Sequence, residues 1–431
     1  MTSEMVGPEY VPSRIPSTHP HHVPRNLTAE ERQRFRDVSR RALAAKSAAV
    51  SGAVKSIHPV NEPQLDPADL MPQCEPTGLR ALSLFSGGGG LDVGFERAGY
   101  EHVASYELLE PAAETLRAMR PSWTVFGGEE GDVKTARFSR WRGLVDVVHG
   151  GPPCQPFSIA GRQKGADDDR NLWPEFVRCV RTVRPRAFIA ENVPALSTKK
   201  FADFVKNEIV GALEDRYHIQ MFTLRAEDYG VPQIRRRVIF VGFSNGGAAG
   251  RFEQPRATHY WGPDTSDSDL QPCMGVRAAL GLDDNGFDAL SPTIRSTLTG
   301  PRHTTSILNS TAAQRAFSDL GVWPNGVAKT REDASAFPSP TGDFRLSVPD
   351  VALIQGFPEW WRFNGPACSV RSGTPYLHRS PTRSLALSQT SSRREASPPP
   401  ILRLRLLAAC LRAVWRETHA PWRALWPPGP T

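Results

Sequence analysis

The stretch LRALSLFSGGGGLDVGFERAG, residues 79–99, decides the fold. Residues 80–85 are short and apolar and run into glycine, as a buried strand does. Residues 91–98 then carry apolar side chains at helical spacing. Between them Gly87 to Gly90 let the backbone approach a ligand closely at a helix N-terminus, where unpaired N–H groups favour electron-rich atoms. The strict G-x-G-x-x-G spacing fails, because Asp92 stands where the third glycine after Gly87 and Gly89 belongs. Taken alone, the run reads equally as a plain tight turn. An acid about 20 positions on, closing the next strand, is the expected clamp for ribose hydroxyls, and Glu107 stands there. Asp132, after Gly131, is placed for the next such part, towards an adenine.

Outward from this stretch, strand and helix alternate, the signature of a mostly parallel sheet covered on both faces. Strands are predicted at 80–85, 102–106, 144–149, 186–190, 219–224 and 237–243. Helices are predicted at 91–98, 111–120, 172–183 and 201–213. The fold class is therefore α/β, a doubly wound Rossmann-like sheet. After Phe243 the periodicity fades into Gly, Pro, Ser and Asp-rich sequence, with no strong helix before 348–355, which suggests a smaller loop-rich domain. The expected division is a flexible N-terminal extension at 1–78, an α/β domain that carries the glycine loop at 79–243 and a loop-rich region at 244–345. A return segment at 346–366 and an Arg/Ser/Pro-rich tail at 367–431 complete it.

The whole chain has 431 residues, 39% of them hydrophobic and 23% charged, which fits a soluble globular protein. No stretch of about 18 apolar residues occurs, so membrane insertion is not expected. The six cysteines lie 25 or more residues apart, with no metal-ligand spacing, and favour a reducing, cytoplasmic setting. The net charge of +7 invites a nucleic-acid partner, but residues 367–431 alone carry +8 and the first 366 carry −1. Any case for DNA must rest on local sites.

Three further segments carry chemistry. GGPPCQPFS, residues 150–158, follows a strand directly. A lone cysteine is usually an inert core residue, but Cys154 lies in a proline-stiffened loop at a strand's C-terminal end, where doubly wound folds bind ligands. A positioned thiolate there is a strong nucleophile. ENV, residues 191–193, ends another apolar strand, so that Glu107, Cys154 and Glu191 would share one side of the sheet. QIRRR, residues 233–237, opens a strand, and Arg235 and Arg237 would lie on one face, suited to a phosphate or a pyrimidine carbonyl.

Together and in this order, these segments resemble the DNA cytosine-5 methyltransferases, the bacterial modification enzymes of restriction systems. The resemblance covers residues 79 to about 365. FSGGGG matches the family's F-x-G-x-G cofactor loop, PCQ its nucleophile loop, ENV its catalytic acid and Gln233-x-Arg235-x-Arg237 its Q-x-R-x-R motif. LSPTIRSTLTG, residues 290–300, and residues 345–356 look like later family segments. The resemblance implies S-adenosylmethionine as cofactor, held by Phe85, Gly87, Gly89, Glu107, Asp132 and Leu172, and no metal. It implies Cys154 as nucleophile, Glu191 as acid, and Arg235 with Arg237 on the ring carbonyl and a nearby phosphate. Double-stranded DNA is the implied partner, contacted by Ser158, Gln233, Arg295, Arg302 and His303, with the target cytosine flipped out of the helix. A cognate restriction endonuclease and a monomeric, cytoplasmic enzyme are implied as well. An RNA cytosine-5 methyltransferase is the rival within the same chemistry.

The chain departs from the family after Gly365, where a G-N-x-V-x-P motif and a closing helix are expected and absent. PVNEP, residues 59–63, does not replace the motif. The tail holds ten Arg and only Glu395 and Glu417 as acids, the composition of an out-of-frame or substituted ending. That ending would weaken cofactor binding and at the extreme leave a catalytically impaired DNA-binding remnant. A variant ending that serves as a basic arm for DNA is the alternative.

Overall fold

A computed structural model describes residues 58–153, 157, 171–245, 252–263, 269–294, 307–308, 310–336, 339 and 341–364, with scattered positions between 28 and 44. Its frame is a sheet of seven strands: β1 (Arg80–Leu84), β2 (Glu101–Glu107), β3 (Val125–Gly127), β4 (Val147–Gly150), β5 (Ala187–Asn192), β6 (Tyr217–Arg225) and β7 (Arg236–Ser244). They are ordered β3-β2-β1-β4-β5-β7-β6. The first five run parallel, and β7 is antiparallel to both β5 and β6.

Alternation along the strands builds a core on each face. Leu82 and Leu84 of β1 point into one core with Trp173, Phe176 and Val180 of helix α3 (Trp173–Val183). Ala81 points into the other with Phe95 of helix α1 (Gly90–Arg97), Leu224 and Phe243. This is the doubly wound arrangement. The strand order reverses between β1 and β4, so the loops after these two strands diverge and leave a crevice at their C-terminal ends. Helix α2 (Glu110–Met119) covers β2 and β3.

Several expected elements shift. β3 escaped the sequence because it is three residues long and ends on glycine. β4 starts at Val147 rather than 144, since Gly143 turns with φ 76° and Leu144 is left 47% exposed. The helix expected at 201–213 winds through a 3-10 turn (Lys199–Phe201), a short α turn (Ala202–Phe204) and a π turn (Val205–Val210). The wide last turn keeps Val205 and Ile209 in the same buried layer as Phe201 and Phe204.

The region after β7 is less irregular than expected. It contains paired strands β8 (His259–Tyr260) and β9 (Gln271–Pro272), and helices α4 (Val276–Leu280), α5 (Thr311–Asp319) and α6 (Arg331–Ala336). Strand β10 (Val322–Ala328) pairs in parallel with β11 (Phe344–Ser347). Each helix is too short for its periodicity to stand out. Helix α7 (Val348–Ile354), capped by reciprocal hydrogen bonds between Ser347 and Asp350, buries Val351 to Ile354 in this lobe's core. The return to the sheet therefore begins after α7 and not at residue 346.

Residues 58–78 also correct the expectation of a flexible extension over 1–78. Asn61 is buried and donates to Leu280 O at 3.0 Å and to Asp350 Oδ1 at 3.1 Å. Cys74 N donates to Arg97 O, and Thr77 N to Gly99 O. The segment straps the small lobe to the sheet, which a Pro-rich composition conceals because the partners, backbone carbonyls and the Asp350 carboxylate, are distant in sequence.

Candidate active site

β1 delivers the glycine loop to the crevice. Phe85 takes φ 55°, uncommon for a residue with a side chain, and Gly87 and Gly89 follow at 55° and 89°. Ser86 Oγ lies 2.7 Å from Ser83 Oγ beneath the loop. Asp92, which broke the glycine fingerprint, does not face the crevice. Its buried carboxylate accepts from Ser105 Oγ on β2 at 3.1 Å, and burial pushes it up to about 6.

Glu107 ends β2 beside the loop. Gly87 N donates to Oε2 at 2.6 Å and Leu109 N to Oε1 at 2.8 Å, while burial pushes the carboxyl up to about 7. Asp132 comes to the same side because Gly131 lies directly on the carbonyls of Glu107 and Phe126, where any Cβ would collide. Asp132 Oδ1 accepts from Lys134 N at 2.9 Å. Leu172 caps the start of α3, half-buried.

These residues suit a nucleoside carrying a diol. The Glu107 carboxylate is bonded here by backbone N–H groups and retains lone pairs for hydroxyl donors. Nothing lies within 4 Å of the place a Cβ would occupy on Gly87, so a ligand can approach that backbone. Leu108, 54% exposed next to Glu107, offers an apolar surface.

The second half of the crevice joins β4, β5 and β7. Asn192, 1% exposed at the end of β5, donates to Pro152 O at 3.0 Å and pins the loop leaving β4. Sequence reading missed it, though an amide ending a buried strand beside a proline loop was the available signal. The β5–β7 register sets Glu191 opposite Ile239, so Arg237 is its diagonal neighbour on the same face. Arg237 Nε lies 2.5 Å from Glu191 Oε1, and Arg235 follows at 3.9 Å. The other oxygen, Oε2, lies towards Gly151, 3.2 Å from where a Cβ would sit.

Cys154 and Ser158 lie outside the described residues, as do Arg295, Arg302 and His303. Of the nucleophile loop, Phe157 is described, fully buried against Phe201 and Phe204 at ring separations of 5.3 and 4.8 Å. Gln233 departs from its expected place on DNA. It is wholly buried and donates to Ile354 O at 3.1 Å, which joins the entrance of β7 to α7. Among the described residues no cluster suited to a metal ion occurs, and no helix is long and apolar enough to cross a membrane.

The profile of the C-5 cytosine-specific DNA methylases matches residues 79–271. The Type II methyltransferase M.NgoMIV of Neisseria gonorrhoeae is 33% identical over 293 residues, covering 66% of this chain and 88% of that protein. M.NaeI of Lentzea aerocolonigenes is 34% identical over 295 residues, covering 67% and 68%. Among solved structures, the S. pombe Dnmt2 methyltransferase aligns with a TM-score of 0.43 at 16% identity, over 68% of this chain and 92% of its own.

Proposed function

The chain belongs to the C-5 cytosine-specific DNA methylases, and from that premise we propose that it methylates carbon 5 of a flipped cytosine in a specific duplex sequence, drawing on S-adenosylmethionine. It works as the monomeric modification partner of a restriction endonuclease that reads the same site. The observation that carries the reading is the split use of Glu191: Arg237 grips Oε1, and Oε2 is left on the side of Gly151, three residues before Cys154.

S-adenosylmethionine supplies an electrophilic methyl group on a sulfonium. Glu107 would accept its ribose hydroxyls, Asp132 would meet the adenine edge, and Phe85 and Leu172 would line the pocket. Carbon 5 of cytosine is too weak a nucleophile to react unaided. The Cys154 thiolate adds to carbon 6, which breaks the ring's aromaticity and turns carbon 5 into an enamine-like nucleophile. Glu191, sharing a proton with ring nitrogen 3, stabilises the adduct, and its ion pair with Arg237 holds the carboxylate in place. After carbon 5 has been methylated, solvent water takes its proton, the electron pair of that C–H bond re-forms the double bond to carbon 6 and Cys154 is expelled as thiolate. The base must leave the stack first, at about a few kcal/mol. The lobe built on α4 to α6 and β8 to β11 would read the neighbouring base edges.

Transfer of a labelled methyl group to duplex DNA and to tRNA tests the assignment. Incorporation into duplex at a fixed sequence, as 5-methylcytosine, is expected. Incorporation into tRNA alone would contradict it.

A further inference from the structure

The segment after α7 lands on the back of the glycine loop. Trp361 is 2% exposed, and its Nε1 donates to Gly88 O at 3.0 Å. A Cβ on Gly88 would lie 2.7 Å from Phe363, one on Gly89 2.6 Å from Trp361, and one on Gly90 3.3 Å from Phe357. Three of the four glycines are thus small because aromatic rings of the same chain press on them. Gly87 alone has open space above it.

The segment is itself firmly seated. Asn364 N donates to Thr115 Oγ1 on α2 at 3.0 Å. Arg120, at the end of α2, bonds Glu96 of α1 through Nε at 2.6 Å and Nη2 at 2.8 Å and lies 4.7 Å over the Trp360 ring. The indole N–H therefore reaches Gly88 from a rigid platform. The Gly88 carbonyl is one residue from Gly87, whose N–H donates to Glu107 at 2.6 Å and whose φ is 55°.

We infer that Trp361 is a positioning residue for the cofactor loop: by fixing the Gly88 peptide from behind, it holds Gly87 in its left-handed conformation and with it the orientation of the Glu107 carboxylate. This rests on the reading of that loop as the methyl donor's site. It makes the eight residues from Phe357 to Asn364, which are tied to the loop's backbone, to α1 and α2, and through Glu359 to Arg331 and Asp66, part of the machinery that sets donor affinity.

Calorimetric titration of S-adenosylmethionine, without DNA, into wild-type and Trp361→Phe protein tests it. The variant keeps an aromatic ring in the cluster and loses the N–H donor together with part of the indole's bulk against Gly89. Loss of one buried hydrogen bond should weaken donor binding about tenfold and leave affinity for duplex DNA within about twofold. Donor affinity equal to wild type in the variant would overturn the inference. Equal losses of donor and DNA affinity would also overturn it, as marks of a merely structural role. If Trp361→Phe fails to fold, Gly88→Ala presses a methyl group against Phe363 with the indole intact; unchanged donor affinity there would overturn it too. No measurable affinity in the wild-type chain would instead overturn the reading of the loop itself.

Discussion

Glu191 and Glu107 are both carboxylates ending central strands, and their surroundings give them different work. Arg237 keeps the first oriented at 2.5 Å. Replacing Glu191 by Gln should lower kcat by about 10²- to 10⁴-fold, the usual range for a lost acid–base group, with DNA affinity nearly unchanged in gel-shift titration. Among the described residues Glu107 has no such cation in contact, and burial pushes it from 4.5 up to about 7. The folded chain thus holds this proton more tightly than the unfolded chain does. Its contribution to stability is present below about pH 4.5 and is lost as pH rises through about 7. Relative to Glu107→Gln, the wild type without cofactor should lose up to about 3 kcal/mol of stability between pH 4.5 and 8. Urea unfolding of both proteins at several pH values measures the difference, and a flat difference would contradict it.

Elements place those residues, and the sequence discloses them unevenly. Strands β1, β2, β5 and β7 were legible because a buried strand bounded by turn residues has few alternatives, and the glycine loop, Glu107, Glu191 and Arg237 stand at or near their ends. Gln233 was misplaced because a motif gives the residue type and not the direction of its side chain, which here turns inward to Ile354. Helices α4 and α5 were missed because each gains its stability from the shared lobe core rather than from its own periodicity, and α6 because its six residues pack on β10 and β11. Close backbone approaches are equally silent in the sequence until the neighbour is known. Gly131 is the case that bears on the site, since a methyl there meets the carbonyls of Glu107 and Phe126. Gly131→Ala should cost about 1–3 kcal/mol in thermal unfolding and weaken donor binding, because relief requires β2 and the turn before Asp132 to separate.

Across the whole molecule, sheet and lobe are tied at several places. One junction is Gln233 on Ile354, another is the strap carrying Asn61, and a third is the segment after α7 that seats on the glycine loop. Asp350 is the hub of the second: it caps α7 through Ser347, accepts from Asn61, and pairs with Arg331, which also holds Glu359 at 2.7 Å. Asn61→Ala leaves Leu280 O and Asp350 without that partner in a buried place and should cost about 1–3 kcal/mol, read as a lower unfolding midpoint. If the strap merely lies along the surface, the midpoint will not move. The tail from residue 367 lies outside the described residues, whereas the segment up to Asn364 already seats on the glycine loop.

The central claim is a transient bond between Cys154 and carbon 6 of a cytosine. Its most direct test is to incubate the protein and S-adenosylmethionine with duplex DNA carrying 5-fluorocytosine at a mapped methylation site, then separate the mixture under denaturing conditions. Fluorine cannot leave carbon 5 as a proton does, so a stable protein–DNA adduct should accumulate with the wild type and be absent with Cys154→Ser. Methylation of ordinary cytosine at that site with no adduct from the fluorinated duplex, or turnover retained by Cys154→Ser, would contradict the account.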